Sequence, residues 1–116
     1  MTAAAQRYKL VWFVPVQAAD STRDAVFAAG AGRIGGYDRC SFVSQGVGTF
    51  RGGEGTNPVV GAVGVEERVA ECRVETVVPA GLVAAVVEAL VAAHPYEEVA
   101  YDLYALAEVA GSGGAA

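Results

Sequence analysis

The feature that most constrains the fold is an apolar helix bounded by a proline at each end. Residues 68–78 alternate between apolar and charged side chains, which is typical of a strand covered on one face. The side chains predicted on the covered face are Ala70, Cys72, Val74, Thr76 and Val78. A proline then opens residues 79–93, whose valines and leucines form the apolar stripe of a helix. Because the α conformation is disfavoured before proline, His94, which precedes Pro95, is predicted to end this helix. A last strand is predicted over residues 99–106.

The first half of the chain predicts a strand and a helix. Residues 8–16 are β-rich and apolar on both faces, which favours a strand covered on two sides, with Pro15 at its end. Ser21 followed three residues later by Asp24 is typical of a capping box, so we expect a helix to begin there. This helix is predicted to stop at the first of several glycines, Gly30.

A second strand is predicted over residues 37–50, bent or bulged at Gly46 and Gly48. Residues 51–61 then form a glycine-rich loop. The order of elements is therefore β-α-β-β-α-β, which predicts an α+β, ferredoxin-like sandwich of a four-stranded antiparallel sheet with two helices on one face. The other face is expected to carry several aromatic side chains and the charged residues Arg39, Glu71, Arg73 and Glu75.

Composition limits the class of protein. The 116 residues suit one domain, predicted over residues 8–106, with flexible tails at 1–7 and 107–116. Hydrophobic residues make up 53% and charged residues 18%, so part of the apolar surface is expected in a subunit interface. A net charge of −5 argues against a nucleic-acid partner. No apolar run is long enough to span a membrane, and no signal peptide is evident, so a cytoplasmic location is predicted.

The only histidine marks the first candidate site. His94 precedes Glu97 and Glu98, and imidazole with carboxylates can bind a divalent metal or transfer protons. The competing interpretation, which the residues favour, is that His94 caps the helix end. One histidine without further clustered donors is a poor zinc site, so no cofactor is predicted with certainty beyond a weakly bound divalent metal.

Three further groups are candidates for binding or catalysis. Cys40 can act as a nucleophile with His94 as its base, but cysteine is more often a small buried hydrophobe. Cys40 and Cys72 are expected to be two reduced thiols rather than a disulfide. The glycine-rich stretch around Gly48 and Arg51 has two interpretations. It is either an anion-binding turn or a flexible hairpin tip, and we favour the second. Aromatic residues, including Tyr37 and Tyr101, suit either a ligand cleft between subunits or simple packing.

A series of short motifs resembles the YqfO-type domain of the Nif-three-like proteins. It comprises Gly-Tyr-Asp-Arg-Cys-Ser-Phe at 36–42, Gly-Thr-Phe-Arg at 48–51, Asn-Pro at 57–58, His-Pro-Tyr-Glu-Glu at 94–98 and Ala-Tyr-Asp at 100–102. In long members of that family, this domain is an insertion between two halves of a dinuclear-metal scaffold. The resemblance covers residues 8–106 and does not extend to those halves, so it implies a free-standing insertion domain without their metal chemistry.

This domain is also similar in fold to the CutA and PII proteins, which implies a homo-oligomer, most simply a trimer. CutA proteins carry His-Pro-Tyr-Glu before the last strand, as residues 94–97 do here. They continue with Val-Pro-Glu, whereas this chain has Glu98-Val99-Ala100, and that departure weakens any transfer of CutA's copper binding.

Two functional hypotheses follow. The first is a non-enzymatic oligomeric regulatory or binding module for a small molecule or metal. The second is a small enzyme, or a CutA-like divalent-metal site, that uses His94, Glu97 and Cys40. We prefer the first, because no nucleophile, base and orienting group form a convincing set. The predicted ligand-binding residues are Tyr37, Cys40, Gly48, Arg51, His94, Tyr96, Glu97 and Tyr101, and the predicted metal ligands are His94, Glu97 and Glu98.

Overall fold

The structure of the protein, a computed structural model, describes residues 6–109. Its elements are β1 (Arg7–Pro15), a 3₁₀ turn (Val16–Ala18), α1 (Ala19–Ala28), β2 (Ser41–Arg51), β3 (Glu66–Pro79), a second 3₁₀ turn (Ala80–Leu82), α2 (Val83–Ala93) and β4 (Tyr101–Leu106). The strands form one antiparallel sheet in the order β2-β3-β1-β4. The predicted ferredoxin-like α+β fold is confirmed. The predicted flexible tails are residues 1–7 and 107–116, of which residues 1–5 and 110–116 lie outside the described residues.

The core lies between one face of the sheet and both helices. Leu10, Trp12 and Val14 alternate along β1 and are fully buried on this face. Val26 of α1 and Leu90 of α2 pack over them and are fully buried as well. Both helices therefore cover the same face, and in the part of the chain that the structure describes no helix covers the opposite face.

The start of α1 differs from the prediction. The helix begins at Ala19, two residues before Ser21, and no side chain caps its first N–H groups. The Ser21 hydroxyl lies inside the first turn and donates to the Ala18 carbonyl at 3.1 Å. The predicted capping box of Ser21 and Asp24 is wrong because the chain leaves Pro15 through a 3₁₀ turn that starts the helix earlier.

The start of β2 also differs from the prediction. The strand begins at Ser41 rather than at residue 37, and residues 34–40 form a tight turn in which Arg39 has a φ of 55°. The Arg39 guanidinium donates to the Asp24 carboxylate at 2.7 Å and lies 4.9 Å from the centre of the Phe27 ring. Arg39 therefore contacts α1, and its predicted place on the open face of the sheet is wrong.

No bulge interrupts β2. All eleven residues of the strand pair one to one with β3, so the bulge predicted at Gly46 and Gly48 is wrong. Gly48 serves a different purpose, because a Cβ at this position would overlap the carboxylate of Glu71 from β3. A Cβ at Gly46 would meet open space.

Part of the β2–β3 hairpin extends beyond the sheet. β1 pairs with β3 only as far as the contact of Pro15 with Glu71, so residues 47–51 and 66–70 continue as a two-stranded ribbon. We call these residues the ribbon and residues 52–65 the ribbon loop. The molecule measures 55 × 24 × 21 Å. Ala70, which the alternation predicted to face the core, is exposed because no helix covers the ribbon.

The end of α2 matches the prediction. His94 has an extended backbone, and its N–H donates to the Leu90 carbonyl at 2.9 Å. In the predicted apolar stripe, Val86 and Leu90 are fully buried, whereas Leu82 and Val91 are 37% and 48% exposed. Among residues 6–109, no helix combines the length and the apolar character that crossing a membrane requires.

Candidate functional site

A cleft of about 270 Å³ opens where the ribbon joins the sheet. Its first wall is formed by residues 49–52 at the root of the ribbon and by residues 58–60 of the ribbon loop. Its second wall is the α2–β4 loop, residues 96–100, and its floor contains Phe13 and Glu71. The volume lies just below the ~300 Å³ at which typical ligand pockets begin, so the cleft suits a small molecule.

The two walls of the cleft are joined by direct contacts. The Asn57 backbone N–H donates to the Glu97 carboxylate at 3.2 Å, which links the ribbon loop to the α2–β4 loop. The Phe50 and Tyr96 rings lie 5.8 Å apart in a tilted arrangement. The α2–β4 loop is also fixed to β1, because the Phe13 N–H donates to the Ala100 carbonyl at 3.2 Å. These contacts join the ribbon to the α2–β4 loop and, through that loop, to β1.

Glu71 is the least expected group in the cleft. It is only 8% exposed, although its side chain belongs to the sheet face that no helix covers. Within residues 6–109, no Lys, Arg or His lies within ion-pair distance of its carboxylate. Arg73, two residues along the same face, instead donates to Glu75 at 3.2 Å and lies 5.8 Å from the centre of the Phe13 ring. A buried carboxylate without a counterion is costly unless something else satisfies it.

The Tyr96 hydroxyl is the second buried polar group beside the cleft. Its oxygen is buried and forms no hydrogen bond of normal geometry with any described residue. Burial and, to a lesser degree, the charge and hydrogen-bonding influence of Glu71 raise the pKa of Tyr96 to about 12. The cleft therefore brings the Tyr96 hydroxyl and the Glu71 carboxylate close together beside aromatic rings, with no cation among residues 6–109 to neutralise Glu71.

His94 lies behind the cleft, and both of its ring nitrogens are engaged. Nε2 lies 2.7 Å from the Phe13 carbonyl and donates to it, and Nδ1 accepts the Tyr96 N–H at 3.1 Å. This pattern requires a neutral imidazole with its proton on Nε2. The geometry favours a structural role, because His94 ties the α2–β4 loop to β1.

The metal site remains a prediction without structural support. No group of three or more His, Cys, Asp or Glu side chains among residues 6–109 is arranged to hold a metal ion. Glu97 and Glu98 line the cleft, but His94 has no free nitrogen to join them. A metal would have to displace a backbone partner of His94.

The structure brings together some of the predicted ligand-binding residues and separates others. Arg51, Tyr96 and Glu97 line the cleft, and Gly48 lies beside Glu71 just outside it. Tyr101 begins β4, where it pairs with Trp12, and it does not line the cleft.

Tyr37 and Cys40 lie elsewhere, in the turn before β2. Tyr37 is 78% exposed, and the Cys40 thiol contacts the Asp38 carbonyl at 3.7 Å. Measured along the strand direction, Cys40 lies about four residues, or ~13 Å, from Phe13. The Phe13 carbonyl is the group that binds the His94 ring. His94 is therefore not placed to act as a base for Cys40.

Sequence reasoning missed Glu71, Phe13 and Phe50 as site residues. The one available signal was the pair of glycines at 46 and 48, which leaves one face of a strand bare and makes room for a side chain from the next strand. Which side chain fills that room depends on strand register, which the sequence did not reveal.

Several proteins of known sequence resemble this chain over most of its length. It is 53% identical over 100 residues to a protein of Halalkalibacterium halodurans named GTP cyclohydrolase 1 type 2 homolog. Proteins of the same name from Mycobacterium tuberculosis and Bacillus subtilis are 50% and 47% identical over 103 and 96 residues. The matches cover 83–89% of this chain but only 26–27% of those proteins. The chain thus spans about a quarter of the length of these curated relatives. No protein-family model matches the chain.

Solved structures show the same relationship. A Bacillus cereus protein related to NIF3 matches with a TM-score of 0.81 and 50% identity, over 92% of this chain and 27% of that one. The periplasmic divalent cation tolerance protein CutA from Archaeoglobus fulgidus matches with a TM-score of 0.65 over 90% of this chain and 88% of its own. At 13% identity, this second match is one of fold alone, and it confirms the predicted CutA-like fold.

Proposed function

Because the chain is a homologue of one segment of the Nif-three-like proteins, we propose that it is a non-enzymatic, homo-oligomeric module that binds a small molecule. The ligand occupies the cleft between the ribbon and the α2–β4 loop. The observation that carries the proposal is the composition of this cleft. Phe13, Phe50 and Tyr96 supply apolar walls, while Arg51 and Glu71 supply a few polar groups, as is usual for small-molecule sites.

The same geometry argues against an enzyme. The candidate nucleophile Cys40 and the candidate base His94 do not meet, and both His94 nitrogens are bound to backbone groups. The activity named in the relatives' description is not part of the proposal, because this chain spans about a quarter of their length. Binding without catalysis is the role that the cleft supports best.

We extend the proposal to a trimer in which the ribbon contacts a neighbouring copy. The ribbon and its loop expose Val47, Val59, Val63 and Val65 by 46–62%, and no helix among residues 6–109 covers them. Two-stranded ribbons are marginally stable alone, so a second copy provides the apolar contact that the ribbon lacks. The CutA-like fold supports this assembly by analogy. We place the protein in the cytoplasm, where free thiols such as those of Cys40 and Cys72 stay reduced.

Native mass spectrometry with light scattering tests the proposal. We expect three times the 11.8 kDa chain mass at micromolar concentration, with an additional small mass retained by the freshly purified protein. Val47→Asp should shift the mass toward the monomer, because it places a charge on the exposed ribbon. Val91→Asp on α2 is the matched control, since it changes another exposed valine (48%, against 60% for Val47) away from the ribbon, and it should leave the mass unchanged. A monomer in the unmodified protein would contradict the oligomer.

A further inference from the structure

The charge of the cleft is opposite to what suits an anion, the ligand suggested by the glycine-rich stretch around Arg51. Three carboxylates, those of Glu71, Glu97 and Glu98, line it together with a single guanidinium, that of Arg51. The cleft is therefore net negative. Glu71 is the most buried of the three acids at 8% exposed, whereas Glu97 and Glu98 are exposed.

We propose that the cleft selects a small organic cation, with Glu71 as its counterion and Phe13, Phe50 and Tyr96 as its apolar surroundings. This inference rests on the proposed function and names the ligand class of the same cleft. The ligand carries a positively charged nitrogen with N–H donors on a planar apolar group. Such a group satisfies the Glu71 carboxylate by a charge-assisted hydrogen bond.

Glu71 does not form the ion pair with Arg73 that their positions on β3 would suggest. Arg73 is the nearest cation in sequence on the same face of β3, but its guanidinium donates to Glu75 and lies over Phe13. Gly48 meanwhile leaves room for the Glu71 side chain, because any Cβ there would overlap the carboxylate. Glycine thus makes room for the acid, and no cationic side chain among residues 6–109 pairs with it.

The lining favours an organic cation over a metal ion or an anion. A divalent metal needs several oxygen or nitrogen ligands, and residues 6–109 contain no cluster of three such groups. An anion would be repelled by three carboxylates against one arginine. An organic cation gains from the aromatic faces as well, because cations are attracted to the faces of aromatic rings.

The Tyr96 hydroxyl lies beside the Glu71 carboxylate rather than in the open cleft. Its oxygen is buried, and Glu71 is the charged and hydrogen-bonding neighbour that contributes to its raised pKa. The ligand's N–H groups are therefore directed to the Glu71 carboxylate. An amidinium or guanidinium presents two parallel donors, which match the two oxygens of a carboxylate.

Three probes of nearly identical shape test the inference in the 116-residue chain. Benzamidine is a planar cation, benzamide is its neutral counterpart and benzoate is the corresponding anion. We expect calorimetric titration to show benzamidine binding on the order of tenfold more tightly than either of the others. Glu71→Gln should remove this preference, since it retains the shape of the side chain but not its charge. Glu88→Gln on the exposed surface of α2 is the matched control and should change nothing.

The outcomes separate this inference from the proposed function. If benzamide or benzoate binds as tightly as benzamidine, and Tyr96→Ala removes that binding, the cleft is a ligand site without preference for cations, and only this inference fails. If none of the probes binds at millimolar concentration, this inference is also overturned, while the native mass measurement still decides the proposed function. If Glu71→Gln dissociates the oligomer, a residue of a second copy, and not a ligand, is the partner of Glu71.

Discussion

Strands β2 and β3 pass through two regions that differ in what covers them. In the body of the sheet, Cys72, Val74 and Val78 of β3 are at most 3% exposed, because both helices cover their face. In the ribbon, the same apolar face has no helix above it, and Ala70 and Val47 are exposed. An alternating strand sequence therefore predicts which side chains share a face, but not whether that face is buried. Burial depends on the elements that happen to lie over it.

The cleft lies at the boundary between these two regions, and this explains its unusual chemistry. In the body, buried side chains are apolar or hydrogen-bonded, as the Trp12 indole is when it donates to Thr22 at 3.0 Å. At the boundary, Glu71 is nearly buried without an ion-pair partner among residues 6–109. The end of β1 at Pro15 and the arrival of the α2–β4 loop create a space that neither region fills.

The largest contrast between the regions should appear in stability. Leu90→Ala empties a fully buried site in the body, and we expect it to lower the free energy of unfolding by about 2–5 kcal/mol. Val47→Ala in the ribbon removes an exposed side chain and should change the stability of a dissociated chain by less than about 0.5 kcal/mol. Urea denaturation at several protein concentrations measures both. Equal losses would show that the ribbon is as tightly packed as the body.

The attachment of the cleft wall to the body gives the next largest effect. His94→Ala leaves the Phe13 carbonyl and the Tyr96 N–H without their partners, so we expect a loss of about 1–3 kcal/mol by thermal or urea denaturation. Glu98→Ala in the same loop is exposed and should change stability little. A chelator should not affect the unmodified protein. If the chelator lowers the melting temperature as much as His94→Ala does, His94 binds a metal.

Two glycines on the same face of β2 provide an internally matched test of the boundary. Gly48→Ala forces the Glu71 carboxylate out of its place and should cost about 1–3 kcal/mol. Gly46→Ala meets open space and should be neutral or stabilise by about 0.5 kcal/mol, because glycine weakens a strand. Combining Gly48→Ala with Glu71→Ala should recover much of the loss. Equal effects of the two glycine changes would contradict the close approach of Glu71.

The smallest effect concerns the alkaline stability of the cleft. The pKa of Tyr96 is raised to about 12, so the folded protein holds this proton more tightly than the unfolded chain, whose tyrosines titrate near pH ~10. The corresponding stability is complete below pH ~10 and is lost as the pH rises toward the folded value. Ultraviolet titration of Tyr96→Phe should lack the phenolate signal that appears near pH 12 in the unmodified protein. An unchanged titration curve would show that Tyr96 is not shielded.

Local patterns determined a large part of this fold. The end of α2 at His94 was predictable, because the clash between a proline and its preceding residue acts between neighbours in sequence. The alternation of β3 likewise gave the inward face of Cys72 and Val74. The capping box at Ser21 failed because a second helix start, two residues earlier, was open to the chain after Pro15.

Only the tertiary structure decided the composition of the cleft. Arg51, Tyr96 and Glu97 were predicted as ligand-binding residues from short motifs, but their meeting with Glu71 depends on pairing between residues far apart in the chain. A shift of one residue in the register of β2 on β3 would turn Gly48 to the other face and remove the space that Glu71 occupies. Register, and the end of β1 before the ribbon begins, are set by long-range packing that no local stretch of sequence encodes.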